Sequence, residues 1–99
     1  MQIEKISGIS DFEMIVEKKG ESERKLYKVC GRVFLVENKN TIEVRGDEKL
    51  NKLLISKYET VMESRYFGRG GIEIVLSGQL GEDELKDLVR LSYNLSEKE

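Results

Sequence analysis

The strongest constraint on the fold lies in the last forty residues, where the apolar spacing changes from a strand's period to a helix's. Val61 to Tyr66 reads as a strand. Ile72, Ile74 and Leu76 then alternate with Glu73 and Val75 as a second one. Between them, Gly68-Arg-Gly-Gly71 reads as a hairpin loop, because glycine permits positive φ. Ser77-Gly78 ends the second strand. A helix follows from near Gly81, with Glu82, Asp83 and Glu84 in its first turn, where negative charge complements the dipole. Leu85, Leu88, Val89, Ser92 and Leu95 form its apolar stripe. Ser92 is the small member, sized for close approach to a sheet.

The upstream segment adds strands. Ile3, Ile6 and Ile9 recur at a spacing that suits neither a clean strand nor a long helix, so residues 1–11 read as a short turn or arm. From Phe12 the alternation is clear: Phe12, Met14 and Val16 on one side, Glu13, Ile15 and Glu17 on the other, a half-buried strand. Lys19-Gly-Glu-Ser22 is a turn cluster. Leu26 to Cys30 is a second strand, and Gly31-Arg32 breaks or bends it. Val33 to Val36 is apolar on both faces and therefore central in a covered sheet. Glu37 to Asn40 turns into Thr41-Ile-Glu-Val-Arg45, with Ile42 and Val44 inward. Asp47 precedes Leu50, Leu53 and Leu54, an N-cap ahead of a short amphipathic helix. The order βββ(β)-α-ββ-α, with hairpin-length connections, predicts an α+β two-layer sandwich. Its sheet is mainly antiparallel, with five to six strands and helices on one face.

Composition narrows the chemistry. Ninety-nine residues, 38% hydrophobic and 36% charged, make one domain with a modest core. Histidine is absent, which removes Ser-His and Cys-His nucleophilic pairs and the commonest general base. With one cysteine and no histidine, zinc held by N and S ligands is nearly excluded, and no internal disulfide can form. The N-terminus lacks the basic and apolar regions of a secretory signal, and no apolar run nears the ~20 residues that cross a bilayer. A cytoplasmic location is the expectation. The net charge of −2 lacks the basic excess of a generic nucleic-acid binder, so a nucleic-acid surface has to be a local patch.

Tyr27-Lys-Val-Cys-Gly-Arg-Val-Phe34, the strand Tyr58 to Tyr66 with Arg69 at the hairpin tip, Ile72 to Leu76 with Ser77-Gly78, Glu82-Asp-Glu-Leu85 and Ser92-Tyr-Asn-Leu95 occur in a telling order. From about Lys25 to Leu95 this order resembles the MmcQ/YjbR-like family. With the arm read above at residues 1–11, the resemblance makes 1–99 a single domain of this kind. It implies an α+β fold related to secretion-chaperone-like and frataxin-like folds, and the double-wing DNA-binding role attached to such proteins. The chain departs from the family at the hairpin tip, where Arg69-Gly-Gly71 stands in place of Lys-His-Trp. It also leaves little room for the family's longer N-terminal helix.

Each candidate site has a plainer reading beside it. Cys30, between Val29 and Gly31, is more often a small core hydrophobe than a reactive thiol. Glu82, Asp83 and Glu84 are consecutive on a helix and do not converge on a cation, so the dipole explains them. Gly68 to Gly71 matches neither phosphate-loop pattern and precedes a strand, so it is a turn. The remaining surface is basic and aromatic: Lys57, Tyr58, Arg65, Tyr66, Phe67 and Arg69, with guanidinium groups for phosphates and rings for bases. Glu59 and Glu63 lie in the same run, and alternation puts Glu63 beside Arg65 as its ion-pair partner. The expectation is a non-enzymatic binding protein without catalytic residue, cofactor or metal. It contacts DNA through Lys57, Tyr58, Arg65, Tyr66 and Arg69, or else is a protein-interaction or self-associating module.

Overall fold

The computed structural model describes Ile9 and residues 11–97. Four strands come first: β1 (Glu13–Lys19), β2 (Ser22–Val29), β3 (Arg32–Glu37) and β4 (Thr41–Arg45). Helix α1 (Glu48–Lys57), strands β5 (Val61–Ser64) and β6 (Gly68–Val75), and helix α2 (Glu82–Glu97) follow. The strands form one six-stranded sheet in the order β1-β2-β3-β4-β6-β5, antiparallel at every pairing. This is the α+β sandwich expected from the sequence, with all six strands in a single sheet.

Local chemistry sets the connections. Gly20 takes φ +63 at the first central position of the two-residue β1–β2 turn, the pattern of a type II′ hairpin. The β2–β3 turn is Cys30-Gly31, with φ +51 and +77. Positive φ at both central residues is the type I′ pattern, whose twist matches that of the flanking strands. Cys30 is therefore exposed at a hairpin tip, not in the core. The expectation failed because the turn falls one residue earlier than Gly31 alone implies. Asp47 caps α1 as expected, its Oδ1 accepting from the Leu50 N–H at 3.0 Å.

The core lies between the sheet and the helices. Helix α2 covers β2, β3 and β4, and α1 covers β5 and β6. Phe34 sits at the centre, its ring 5.1 Å from that of Tyr93 in an edge-on contact. The all-apolar run Val33–Val36 has a specific cause. Tyr27 pairs with Leu35 and Lys28 with Val33, so Phe34 is the extra residue of a bulge. The bulge sends both Phe34 and Leu35 to the helix side and leaves Val33 and Val36 on the opposite, open face.

That bulge also creates a gap that α2 fills. The Ser92 hydroxyl donates to the Phe34 carbonyl at 2.5 Å and accepts from the Arg45 N–H at 2.8 Å. It satisfies two backbone groups where β3 and β4 have parted, since their pairing is confined to residues 35–37 and 42–44. Ser92 is fully buried, as the size argument required.

Several boundaries and faces differ from expectation. The β5–β6 turn is Arg65–Phe67, and Gly68 to Gly71 begin β6. Only Gly68 of that glycine group has positive φ. In α1 the buried residue is Asn51, whose Nδ2 donates to the carbonyls of Gly46 and Arg69, while Leu53 is exposed. The α1 stripe is displaced because the helix rests on backbone at Gly46 and at the start of β6, which an amide can bond and a leucine cannot. In α2 the inward position near the end is Ser96, and Leu95 is largely exposed. The helix runs on through Ser96 and Glu97. Of the expected arm, Ile9 is buried in the core and the Asp11 carbonyl accepts from the Tyr93 hydroxyl. The rest of 1–11 lies outside the described residues, as do Lys98 and Glu99.

Candidate interaction surfaces

Period-2 alternation places one side chain from each strand in a row across the open face. Ile15, Leu26, Val36, Glu43, Glu73 and Met62 are successive cross-strand partners from β1 to β5. Glu43 and Glu73 are therefore direct neighbours, an arrangement that repels when both are charged. Both are nonetheless buried, at 1% and 2% exposure.

Each carboxylate has its own set of donors. Glu43 accepts from the Ser64 hydroxyl (2.8 Å), the Tyr66 N–H (2.9 Å) and the Asn38 amide (2.9 Å). Glu73 accepts from Arg65 in fork geometry, Nε at 3.0 Å and Nη2 at 2.8 Å, and from the Thr41 hydroxyl at 2.8 Å. Burial pushes the Glu43 pKa up, but the hydrogen bonds from Asn38, Tyr66 and Ser64 and the charge of Arg65 outweigh it. The net shift is downward, so Glu43 stays ionised. The Glu73 carboxylate, by hydrogen bond and by charge, holds Arg65 above the usual guanidinium range.

These bonds fold the Arg65–Phe67 turn over the open face. Phe67 covers the Leu26, Val33 and Val36 patch. The Arg45 guanidinium lies 4.8 Å from the Phe67 ring centre, and the Arg45 Nε donates to the Val33 carbonyl at 2.7 Å. Gly71 makes room for this roof. A β-carbon there would lie 2.5 Å from the Val44 carbonyl oxygen and 2.7 Å from the Phe67 β-carbon. Tyr66 is half-exposed on the outside of the roof, with Arg24 5.3 Å from its ring centre.

The five residues expected to form a contact surface divide among three places. Arg65 and Tyr66 share the roof turn. Lys57 ends α1 and lies over the ring of Tyr58, which caps the helix and packs on the core from the helix side. Arg69 borders a groove beside α1 with Glu48, Lys52 and Glu63. Arg65 pairs with Glu73 rather than with Glu63. The turn at Arg65 takes it out of the strand, so the alternation that would place it beside Glu63 stops at Ser64.

Beside the roof, a shallow depression runs along the β1–β2 hairpin. It gathers Lys18, Lys19, Arg24, Lys25, Lys39 and Arg65, interleaved with Glu17, Glu21, Glu23 and Glu37. Two of its cations are engaged, Arg24 with Glu17 at 2.7 Å and Arg65 with Glu73.

The hairpin itself is the feature that sequence reasoning misjudged. Strand β1 was expected to be half-buried, yet all seven of its residues are exposed. Of the two described helices, α2 packs on β2, β3 and β4 and α1 on β5 and β6 at the other end of the sheet. Met14, Ile15 and Val16 are exposed at 50%, 42% and 43%. Among the described residues β2 is the only strand that pairs with it. Three consecutive apolar residues between charged ends were the available signal.

No known family model matches this chain, and no curated protein does. Its fold is shared with a protein from Pseudomonas syringae solved by crystallography, at a TM-score of 0.77 over 95% of this chain and 94% of that one. The likeness is one of fold. At 14% identity the likeness carries no inference about individual side chains.

Proposed function

We propose that this protein is a non-enzymatic binding module that takes up an extended polypeptide strand along β1. One observation carries the reading: a seven-residue edge strand in unbroken register with β2, exposed throughout and apolar at its centre. Such an edge offers a row of backbone donors and acceptors for strand addition, with side-chain contacts on both faces. The roof argues for binding over catalysis, since each oxygen of Glu43 and Glu73 already accepts a hydrogen bond from the protein. No cluster of metal-ligating residues occurs among the described residues. The exposed thiol of Cys30 fits a reducing, cytoplasmic setting. No helix among the described residues is long and apolar enough to cross a membrane. The element order keeps the MmcQ/YjbR-like resemblance as our reading of ancestry.

DNA binding is the second reading, favoured by the six cations of the depression beside the hairpin. It is weakened by the interleaved glutamates and by the scatter of Lys57, Tyr58 and Arg69 away from Arg65 and Tyr66. One experiment separates the two. The isotope-labelled chain is titrated with an extended peptide of alternating valine and threonine, and separately with a short DNA duplex at low salt. Amide shifts confined to β1 with the peptide, and lost in Val16→Pro, are the expected result. Shifts centred on Lys25, Lys39 and Arg65 with the duplex, falling steeply with salt, would replace it with the nucleic-acid reading.

A further inference from the structure

The parity of the β1–β2 hairpin decides which backbone groups of β1 are available. Lys19 and Ser22 flank the two-residue turn, so they form its hydrogen-bonded pair. Bonded and non-bonded pairs alternate in an antiparallel ladder. Lys19, Glu17, Ile15 and Glu13 therefore direct their N–H and C=O groups at β2. Lys18, Val16 and Met14 direct theirs outward, to the side on which no described strand pairs.

Resting on the strand-addition reading above, we infer that the strand β1 receives is β1 of a second copy of this chain, antiparallel about a two-fold axis at Val16. In this register Val16 faces Val16, Met14 faces Lys18, Ile15 faces Glu17 and Glu13 faces Lys19. Three arguments select it. The outward-directed residues Met14, Val16 and Lys18 become the bonded pairs of the new ladder, giving about six inter-chain backbone hydrogen bonds. All seven residues of the strand are used. Each end gains an opposed Glu13–Lys19 pair, and nowhere are like charges directly opposed.

The neighbouring registers fail on charge. A two-fold at Ile15 sets Glu13 against Glu17 at both ends, and one at Glu17 sets that residue against itself. A slip that opposes Val16 to Ile15 is excluded, because it turns the side chains of one copy to the wrong face. In the selected register the exposed apolar residues cover one another. Val16 and Met14 of the two copies meet on the helix side. The two Ile15 side chains meet diagonally on the open side. The two sheets then join into one continuous sheet across the seam.

Light scattering and sedimentation of the full chain over a range of concentrations test this. The expected result is a concentration-dependent dimer that Val16→Pro converts to monomer. The Val16 N–H faces away from β2, so proline there costs no hydrogen bond within the chain, and the melting curve should be retained. Charge reversal reads the register without relying on that variant. Glu13→Lys or Lys19→Glu alone should weaken the dimer about tenfold, since two symmetric attractive pairs become repulsive. The double variant should recover most of the loss. In a chain carrying Cys30→Asn, Val16→Cys should form an inter-chain disulfide, as the facing α-carbons lie about 5.5 Å apart in a bonded pair.

A monomer at every concentration would overturn self-pairing and leave strand addition to the peptide titration. A dimer unaffected by Val16→Pro would place the contact elsewhere and overturn self-pairing through β1, again leaving strand addition to the peptide titration. A dimer that Glu13→Lys strengthens would overturn the register, because that change favours the two-fold at Ile15.

Discussion

The two edges of this sheet are built in opposite ways. Strand β5 is four residues long, its register with β6 shifts at Ser64, and the chain then folds back over the sheet as a roof. Strand β1 is seven residues long, pairs without interruption and is covered by neither helix. Short, irregular edges resist further pairing and long regular ones invite it. At the β5 end the charges are drawn inward and consumed by internal donors. At the β1 end the charges stand outside the apolar centre, where they can choose a partner. One edge is part of the protein's stability, and the other is left open, where the proposed strand would add.

That contrast can be broken from the closed side first. Glu43→Ala should have the largest effect, a loss of about 3 kcal/mol in chemical denaturation. It leaves the Ser64 hydroxyl, the Tyr66 N–H and the Asn38 amide without their acceptor and frees the roof turn. Phe67→Ala should cost about 2 kcal/mol, below the range for a fully buried ring because Phe67 is only partly enclosed. Gly71→Ala should dislodge the same ring from the opposite direction. Its test is a change in the Phe67 ring proton shifts of the folded protein.

Acid should act more gradually. The folded-state pKa of Glu43 lies below its unfolded value, so between the two the unfolded chain holds more protons. Its contribution is fully present above the unfolded value and is lost as pH falls through the folded one. Melting temperature measured across that acidic range should drop, and Glu43→Gln should flatten the drop. The smallest effect belongs to the open edge: Ile15→Thr should alter monomer stability by less than about 0.5 kcal/mol. A large loss there would show that β1 belongs to the closed architecture after all.

Much of the closed architecture could be read along the chain. Ile42 and Val44 alternate with Glu43, and the strand runs from Thr41 to Arg45 as the pattern says. Asp47 caps its helix, and Ser92 is small because it meets the sheet. The candidate site was less legible. Alternation assigns Glu43 and Glu73 to the face opposite the core, but it does not say whether that face will be roofed. The roof comes from Arg65–Phe67, which reach those carboxylates only after β6 has been placed beside β4. Arg65 appeared to belong to a strand and to Glu63, because nothing local marks the turn at that residue. Cys30 was misplaced for a related reason: a cysteine with positive φ is rare enough that composition argues against it.

By itself, then, the sequence determined the element order, the inward apolar faces, the caps and the lack of histidine chemistry. These follow from spacing and residue type within a few positions of chain. Only the tertiary structure decided which edge would be closed and which left open. That outcome depends on where the two described helices, of fixed length, land on a sheet wider than they cover. Helices α1 and α2 span β2 to β5 and stop. Strand β1 is exposed for that reason, although its own alternation looks like that of any half-buried strand.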